Sequence, residues 1–203
     1  MTPRPIEYCF WIVPGRLLAG EYPRDKEQEL SGEKIKKLRE QGINRYLDLT
    51  HPDDRLEPYE HLLRKREERL SFPIVDVSVP ESPRLTKAIL DAIDYQLALG
   101  NKIYLHCWGG VGRTGTIAGC WLARHGVGRE DAFKTLQDLW QSNPKSKYRH
   151  CPETTEQKQY IIAWREPECK DVQSSPLNVK GVELNFSREE IISAVREGRE
   201  NRD

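Results

Sequence analysis

Long apolar runs are missing from this chain of 203 residues, and so is any excess of one charge. No stretch approaches the roughly 18 apolar residues that a membrane-crossing helix needs. No basic-then-apolar leader opens the sequence, so we expect a cytoplasmic protein without membrane contacts. Lys+Arg number 32 and Asp+Glu number 32, a balance that offers nothing global to nucleic acid or anionic lipid. Cysteine is sparse as well. Cys9, Cys107, Cys120, Cys151 and Cys169 are odd in number and far apart, which fits neither a disulfide framework nor the paired short spacings of a zinc site. Metal and cofactor are therefore not expected. The length suits one domain with a proper core plus an appendage.

One segment concentrates the chemistry. Residues His106 to Thr116 read HCWGGVGRTGT, preceded by the apolar run Lys102-Ile103-Tyr104-Leu105 and continued at helical spacing by Thr116 to Leu122. A strand, a glycine-rich turn and a helix start follow one another here. Gly109, Gly110 and Gly112 permit a tight concave turn whose peptide N–H groups converge on an oxyanion. The residues between, Trp108 and Val111, complete the loop. The first turn of the helix adds unpaired N–H groups and the positive end of its dipole. Arg113 supplies a planar two-pronged donor that a lysine could not reproduce. A thiol facing this cluster, Cys107, is expected to act as a thiolate nucleophile at neutral pH. Thr114 could donate a hydrogen bond to that sulfur. His106 points away from Cys107 if the strand persists, which makes it a buried organiser and not an acid. A bare Cys-x5-Arg could arise by chance among 32 basic residues and five cysteines. Chance does not account for His, Cys, three Gly, Arg and Thr together at one junction.

Attack by Cys107 leaves an alkoxide or phenolate, so a carboxylic acid should face the loop. Residues 72 to 77 read as a short buried strand, and Leu85 to Leu99 as a helix closed by Gly100. Strand, helix and strand make a crossover that sets two parallel strands with their carboxyl ends together. Asp76 and Cys107 lie at those ends, so Asp76 is the first candidate for the acid. Asp53, Asp54 and Glu81 are rivals; the first two sit in a polar turn after the strand Ile43 to Leu49.

HCWGGVGRTG resembles the signature of the cysteine-dependent protein tyrosine and dual-specificity phosphatases, HCxxGxxRT or HCxxGxxRS. The Gly-Gly-x-Gly-Arg form is most similar to the branch with the cyclin-dependent-kinase-associated phosphatase and its bacterial relatives. Flanking motifs extend the likeness over residues 8 to 165. The resemblance implies a phosphocysteine intermediate formed and hydrolysed without metal. P-I-x-D-x-x-x-P around Asp76 is where relatives carry their general acid. P-x-T-x-x-Q at Pro152 to Gln157 resembles the family's glutamine loop, in which Gln157 would position the hydrolytic water. A plain helix start, with Thr154 as N-cap, explains the same residues.

The rest of the chain predicts an α/β fold: a central mixed five-stranded sheet flanked by helices on both faces. A hairpin is expected over Tyr8 to Ala19, a helix from Ser31 to Gln41, and a charged helix from Tyr59 to Leu70. Further helices are expected from Arg113 to about His125, from Arg129 to Ser142 and from Thr155 to Arg165. The catalytic domain would span 1–166, a linker 167–186, and an amphipathic helix 187–203 that could dock a protein partner. Apolar Trp108 and Val111 offer nothing to a many-charged ligand, which favours a phosphorylated protein over an inositol polyphosphate. Trp108 could stack on a phenyl ring or fill the core. Lys145, Lys147 and Arg149 could meet substrate acids or simply be a solvated turn. Two alternatives stay open: a phosphatase of small molecules or inositol phosphates, and a phosphate-binding module without turnover.

Overall fold

The structure, a computed structural model, describes residues 2–24 and 28–167. The predicted linker beyond Pro167 and the predicted helix 187–203, with its docking role, lie outside those residues.

Five strands form one mixed sheet in the order β1-β2-β5-β3-β4. β1 (Cys9–Val13) and β2 (Leu17–Gly20) are the expected antiparallel hairpin, turned at Gly15. β2, β5 (Ile103–His106), β3 (Arg45–Asp48) and β4 (Glu68–Ser71) then run parallel. Alternation decides which side chain faces which layer. Phe10, Ile12, Leu17, Ala19, Leu47, Ile103 and Leu105 point into one core; Cys9, Trp11, Leu18, Tyr46 and Tyr104 point into the other.

The first core is covered by four helices: α2 (Pro83–Ala98), α3 (Gly112–Leu122), α4 (Arg129–Trp140) and α5 (Thr155–Ala163). Their apolar stripes, such as Ile89, Leu90, Ile93 and Leu97 on α2, are fully buried. α1 (Gln28–Glu40) covers the other face through Ile35 and Leu38. Helices thus flank the sheet on both sides, four against one among the described residues. Among the described residues, no helix is long and apolar enough to cross a membrane.

Four expectations require correction. Tyr59 to Leu70 is not a helix: it holds one short turn at Glu60–Leu62 and then the edge strand β4. β4 borders only β3, so its charges sit at a half-exposed edge, where charged side chains also discourage further pairing. There Arg69 Nε donates to Asp48 Oδ2 at 2.7 Å, and Glu68 pairs with Arg45 across the strands. Residues 72 to 77 are consequently not a strand but the segment leaving β4. Phe72 N and Ile74 N still donate to Asp48 O and Leu49 O, and Pro73 between them has no N–H to offer. The helix from Arg113 stops at Leu122, and a wider turn through Val127 follows, with Gly126 at φ 81°. The helix expected from Ser31 begins earlier, at Gln28, as α1.

Candidate active site

The site lies at the carboxyl edge of the four parallel strands. Cys107 leaves β5, residues 108–111 curl, and α3 opens at Gly112 with no side chain capping its N-terminus. The first N–H groups of α3 are therefore available to an anion. Neighbouring backbone bolts the loop down. Tyr22 N donates to Trp108 O at 2.8 Å, and Lys145 Nζ donates to Gly109 O at 2.9 Å. Gly110 has φ 70°, and a Cβ there would overlap the backbone of Gly20 and Glu21, so only glycine fits.

Arg113 is 1% exposed and uses only part of its fork. Nη1 donates to Asp54 Oδ2 at 2.6 Å and to Ile74 O at 3.0 Å. Nε and Nη2, the edge suited to two phosphate oxygens, are buried without a hydrogen-bond partner. Asp76 Oδ1 stands 2.8 Å from Nη2, an ion pair too poorly aligned to be a hydrogen bond. Burial opposes the charge on Arg113, but Cys107, Asp54 and Asp76 outweigh it and raise its pKa. The guanidinium is a fixed cation. Thr114 Oγ1 is likewise buried and unbonded, so it makes no hydrogen bond to Cys107 Sγ.

Behind the loop a second polar group is complete. Tyr59 Oη and His106 Nε2 are 2.8 Å apart, and His106 Nδ1 lies 3.3 Å from Cys107 O. Since a carbonyl only accepts, Nδ1 carries the proton and Nε2 accepts from Tyr59. Burial lowers the His106 pKa against the pull of Asp48, so the ring is neutral. Asp48, fully buried, accepts from Thr50 N, Thr50 Oγ1 and Arg69 Nε. Burial works against its ionisation, yet His106, Thr50 and Arg69 together keep its pKa below the ordinary carboxylate value. His106 is the buried organiser expected.

A cleft opens over the loop. Asp76, Val77, Cys107, Trp108, Arg113 and Glu153 line it, joined by Glu21, Lys145 and Arg149 and by the loop residues Gly109, Val111 and Gly112. Trp108 is 55% exposed, which makes it a wall of the entrance and not core filler. Val111 instead buries its side chain in the main core. Of the rival acids, Asp54 is 5% exposed and bound to Arg113, Asp53 is 92% exposed beside His51, and Glu81 is not in the cleft lining. Gln157 is fully buried at the start of α5 and is not in the lining either.

Sequence reasoning missed Glu21, Glu153 and the role of Asp54. Glu21 was findable: β2 ends at Gly20 beside the end of β5, so its next residue must leave at the same edge. Lys145 was weighed as a solvated turn, but its side chain is only 12% exposed. It is held by Glu21, Gly109 O and the face of Tyr8.

Residues 6–162 match the family model described as "PTP-SAK: Swiss Army Knife protein, DSP-PTPase phosphatase domain". A curated relative, "Putative tyrosine phosphatase 067L" of Invertebrate iridescent virus 3, is 30% identical over 116 residues, 56% of this chain and 45% of its own. A second, 197R of Invertebrate iridescent virus 6, is 29% identical over 136 residues, 65% of this chain and 47% of its own. The chain thus spans about half the length of these relatives. Among solved structures, Tk-PTP in the active form superposes with TM-score 0.57 at 24% identity, covering 75% of this chain and 92% of that one. Kinase associated phosphatase superposes with TM-score 0.59 at 20% identity, covering 71% and 83%. At such identities the structures speak for the fold alone.

Proposed function

Because this chain belongs to the DSP-PTPase phosphatase family, we propose that it hydrolyses phosphomonoesters on protein side chains through a phosphocysteine, phosphotyrosine first and phosphoserine or phosphothreonine second. We place this activity in the cytoplasm, whose reducing conditions keep a nucleophilic thiolate intact. One observation carries the reading: a buried arginine beside a cysteine keeps Nε and Nη2 without hydrogen-bond partners at the uncapped start of a helix, with only the displaceable Asp76 carboxylate paired to Nη2. Buried polar groups are normally satisfied, so an open pair in a cleft marks a place for a ligand.

The chemistry follows from the groups present. The substrate's phosphate takes the Nε–Nη2 edge and the loop amides, displacing Asp76 from its ion pair. Once displaced, Asp76 takes up a proton from solvent; Cys107 Sγ attacks phosphorus, the ester P–O bond breaks, and Asp76 delivers that proton to the departing oxygen. Water then attacks the phosphocysteine; Asp76 takes its proton, the S–P bond breaks, and inorganic phosphate leaves. Arg113 and the amides stabilise both transition states, since the charge on the equatorial oxygens stays in their grip. Thr114 Oγ1, unbonded in the free protein, is available to the departing thiolate in the second step.

The walls favour a single phosphate on a flat apolar group. Glu21, Asp76 and Glu153 bring three carboxylates to the cleft, and its cations beyond Arg113 are already engaged by them, Lys145 by Glu21 and Arg149 by Glu153. A second or third phosphate would meet these carboxylates, while a phenyl ring can lie on exposed Trp108. The test is phosphate release, in chelator, from an aryl phosphate, from phosphotyrosyl and phosphoseryl peptides, and from inositol phosphates. The expected order is phosphotyrosyl peptide, then phosphoseryl peptide, with inositol phosphates last. Preference for inositol phosphates overturns the substrate class. Tight phosphopeptide binding with no release overturns the activity.

A further inference from the structure

We infer that Gln157 is a positioning residue that holds the acid loop, and with it Asp76, over the phosphate site. The inference rests on Asp76 being the acid of the proposed reaction.

Three observations lead there. First, the Gln157 amide is occupied. Its Oε1 accepts from Glu153 N and Thr154 N, both at 3.1 Å, and its Nε2 donates to Ser78 O at 2.9 Å. Both lone-pair directions of the oxygen are taken, and the side chain does not reach the cleft lining. It is poorly placed to hold a water there. Second, Ser78 is two residues from Asp76, across Val77. Val77 has φ 59°, a left-handed conformation that a β-branched residue adopts only when its surroundings impose it. Third, apolar packing does not impose it: Val75 is 56% exposed and Val77 54%. The Ser78–Gln157 bond ties the middle of this loop to α5. The same amide lies against the start of α3, where a Cβ on Gly112 would come within 2.9 Å of Nε2. Gln157 thus joins acid loop, α5 cap and phosphate loop at one point.

Gln157→Glu separates these duties. The carboxylate still accepts from Glu153 N and Thr154 N, as the acidic member of a capping box does, but it cannot donate to Ser78 O. The measurement is kcat/KM on two aryl phosphates that differ in leaving group. Phenyl phosphate needs its phenolate protonated; p-nitrophenyl phosphate, with an activated leaving group, needs this far less. Gln157→Glu is expected to lower kcat/KM on phenyl phosphate by about 10- to 100-fold and on p-nitrophenyl phosphate by clearly less. With Asp76→Asn already present, it should cost phenyl phosphate nothing further. Equal losses on both substrates overturn the inference, as do losses that add to those of Asp76→Asn. So does an intact kcat/KM with phosphoenzyme accumulating, the mark of a residue that handles water. An Asp76→Asn variant with undiminished rate on phenyl phosphate overturns the acid assignment itself, a failure distinct from the others. If Gln157→Glu does not fold, Gln157→Met, neutral and without a donor, is read in the same way.

Discussion

Two buried polar groups meet at the end of β5, and they are built to opposite rules. On one face, Asp48, Thr50, Tyr59, Arg69 and His106 saturate one another. On the other, Arg113 and Thr114, which begin seven residues after the end of β5, keep three buried polar atoms without hydrogen-bond partners. Desolvating a donor without replacing its water costs about 1–3 kcal/mol, so the second arrangement is unfavourable in the free protein. The closed group fixes the backbone at Cys107 O. In the proposed reaction the open group keeps its donors for a substrate, so that stability resides in the first and binding in the second.

The sharpest way to break that division is Arg113→Lys. It keeps the charge and removes the two-pronged edge, and we expect kcat/KM on an aryl phosphate to fall by about 10²–10³-fold. Nε and Nη2 make no hydrogen bond in the fold, but Nη1 holds Asp54 and Ile74 O, bonds that a lysine keeps only in part, so a moderate fall in melting temperature should accompany the loss of activity. A large loss of stability with activity retained would show that the edge is structural.

Asp48→Asn should do the reverse, costing about 1.5–3 kcal/mol in denaturant titrations while sparing kcat. Its pH dependence sharpens the point. The folded pKa of Asp48 lies below the ordinary value, near 3.9 in an unfolded chain. The unfolded state therefore binds the proton first. The contribution of Asp48 is complete above about pH 5 and disappears as pH falls through its depressed value. Replacement by Asn should flatten the acid side of the stability curve, and an unchanged slope would remove Asp48 from the network.

Much of this was legible in residue order. The strand Ile103 to His106 and the helix after Gly112 follow from an apolar run, glycines and helical spacing, and Cys107 and Arg113 with them. The crossover logic that puts Asp76 at the carboxyl edge also holds, although the strand is Glu68–Ser71 and not 72–77. That error has a cause. An edge strand needs only one face and one neighbour, so ERLS carries no apolar signature, while Phe72-Pro73-Ile74-Val75 looks like a buried run. Asp54 shows a different blindness. Its neighbours in sequence, Pro52 and Arg55, speak of a turn; its partner Arg113 is distant in sequence, and only the folded sheet edge brings them together. The bond between Lys145 and Glu21, likewise distant in sequence, needs the folded sheet edge for the same reason. Gln157 was legible as a helix cap, which it is; its bond to Ser78 O depends on a loop conformation that no local pattern encodes.

The central claim is that the open edge of Arg113 holds a phosphorus atom where Cys107 can take it. Rapid mixing with an aryl phosphate, quenching in denaturant and mapping by mass spectrometry tests it most directly. The expected result is one phosphoryl group on the peptide containing Cys107, absent from Cys107→Ser, which should still bind oxyanions. Steady turnover with Cys107 never modified, or turnover surviving in Cys107→Ser, would contradict it.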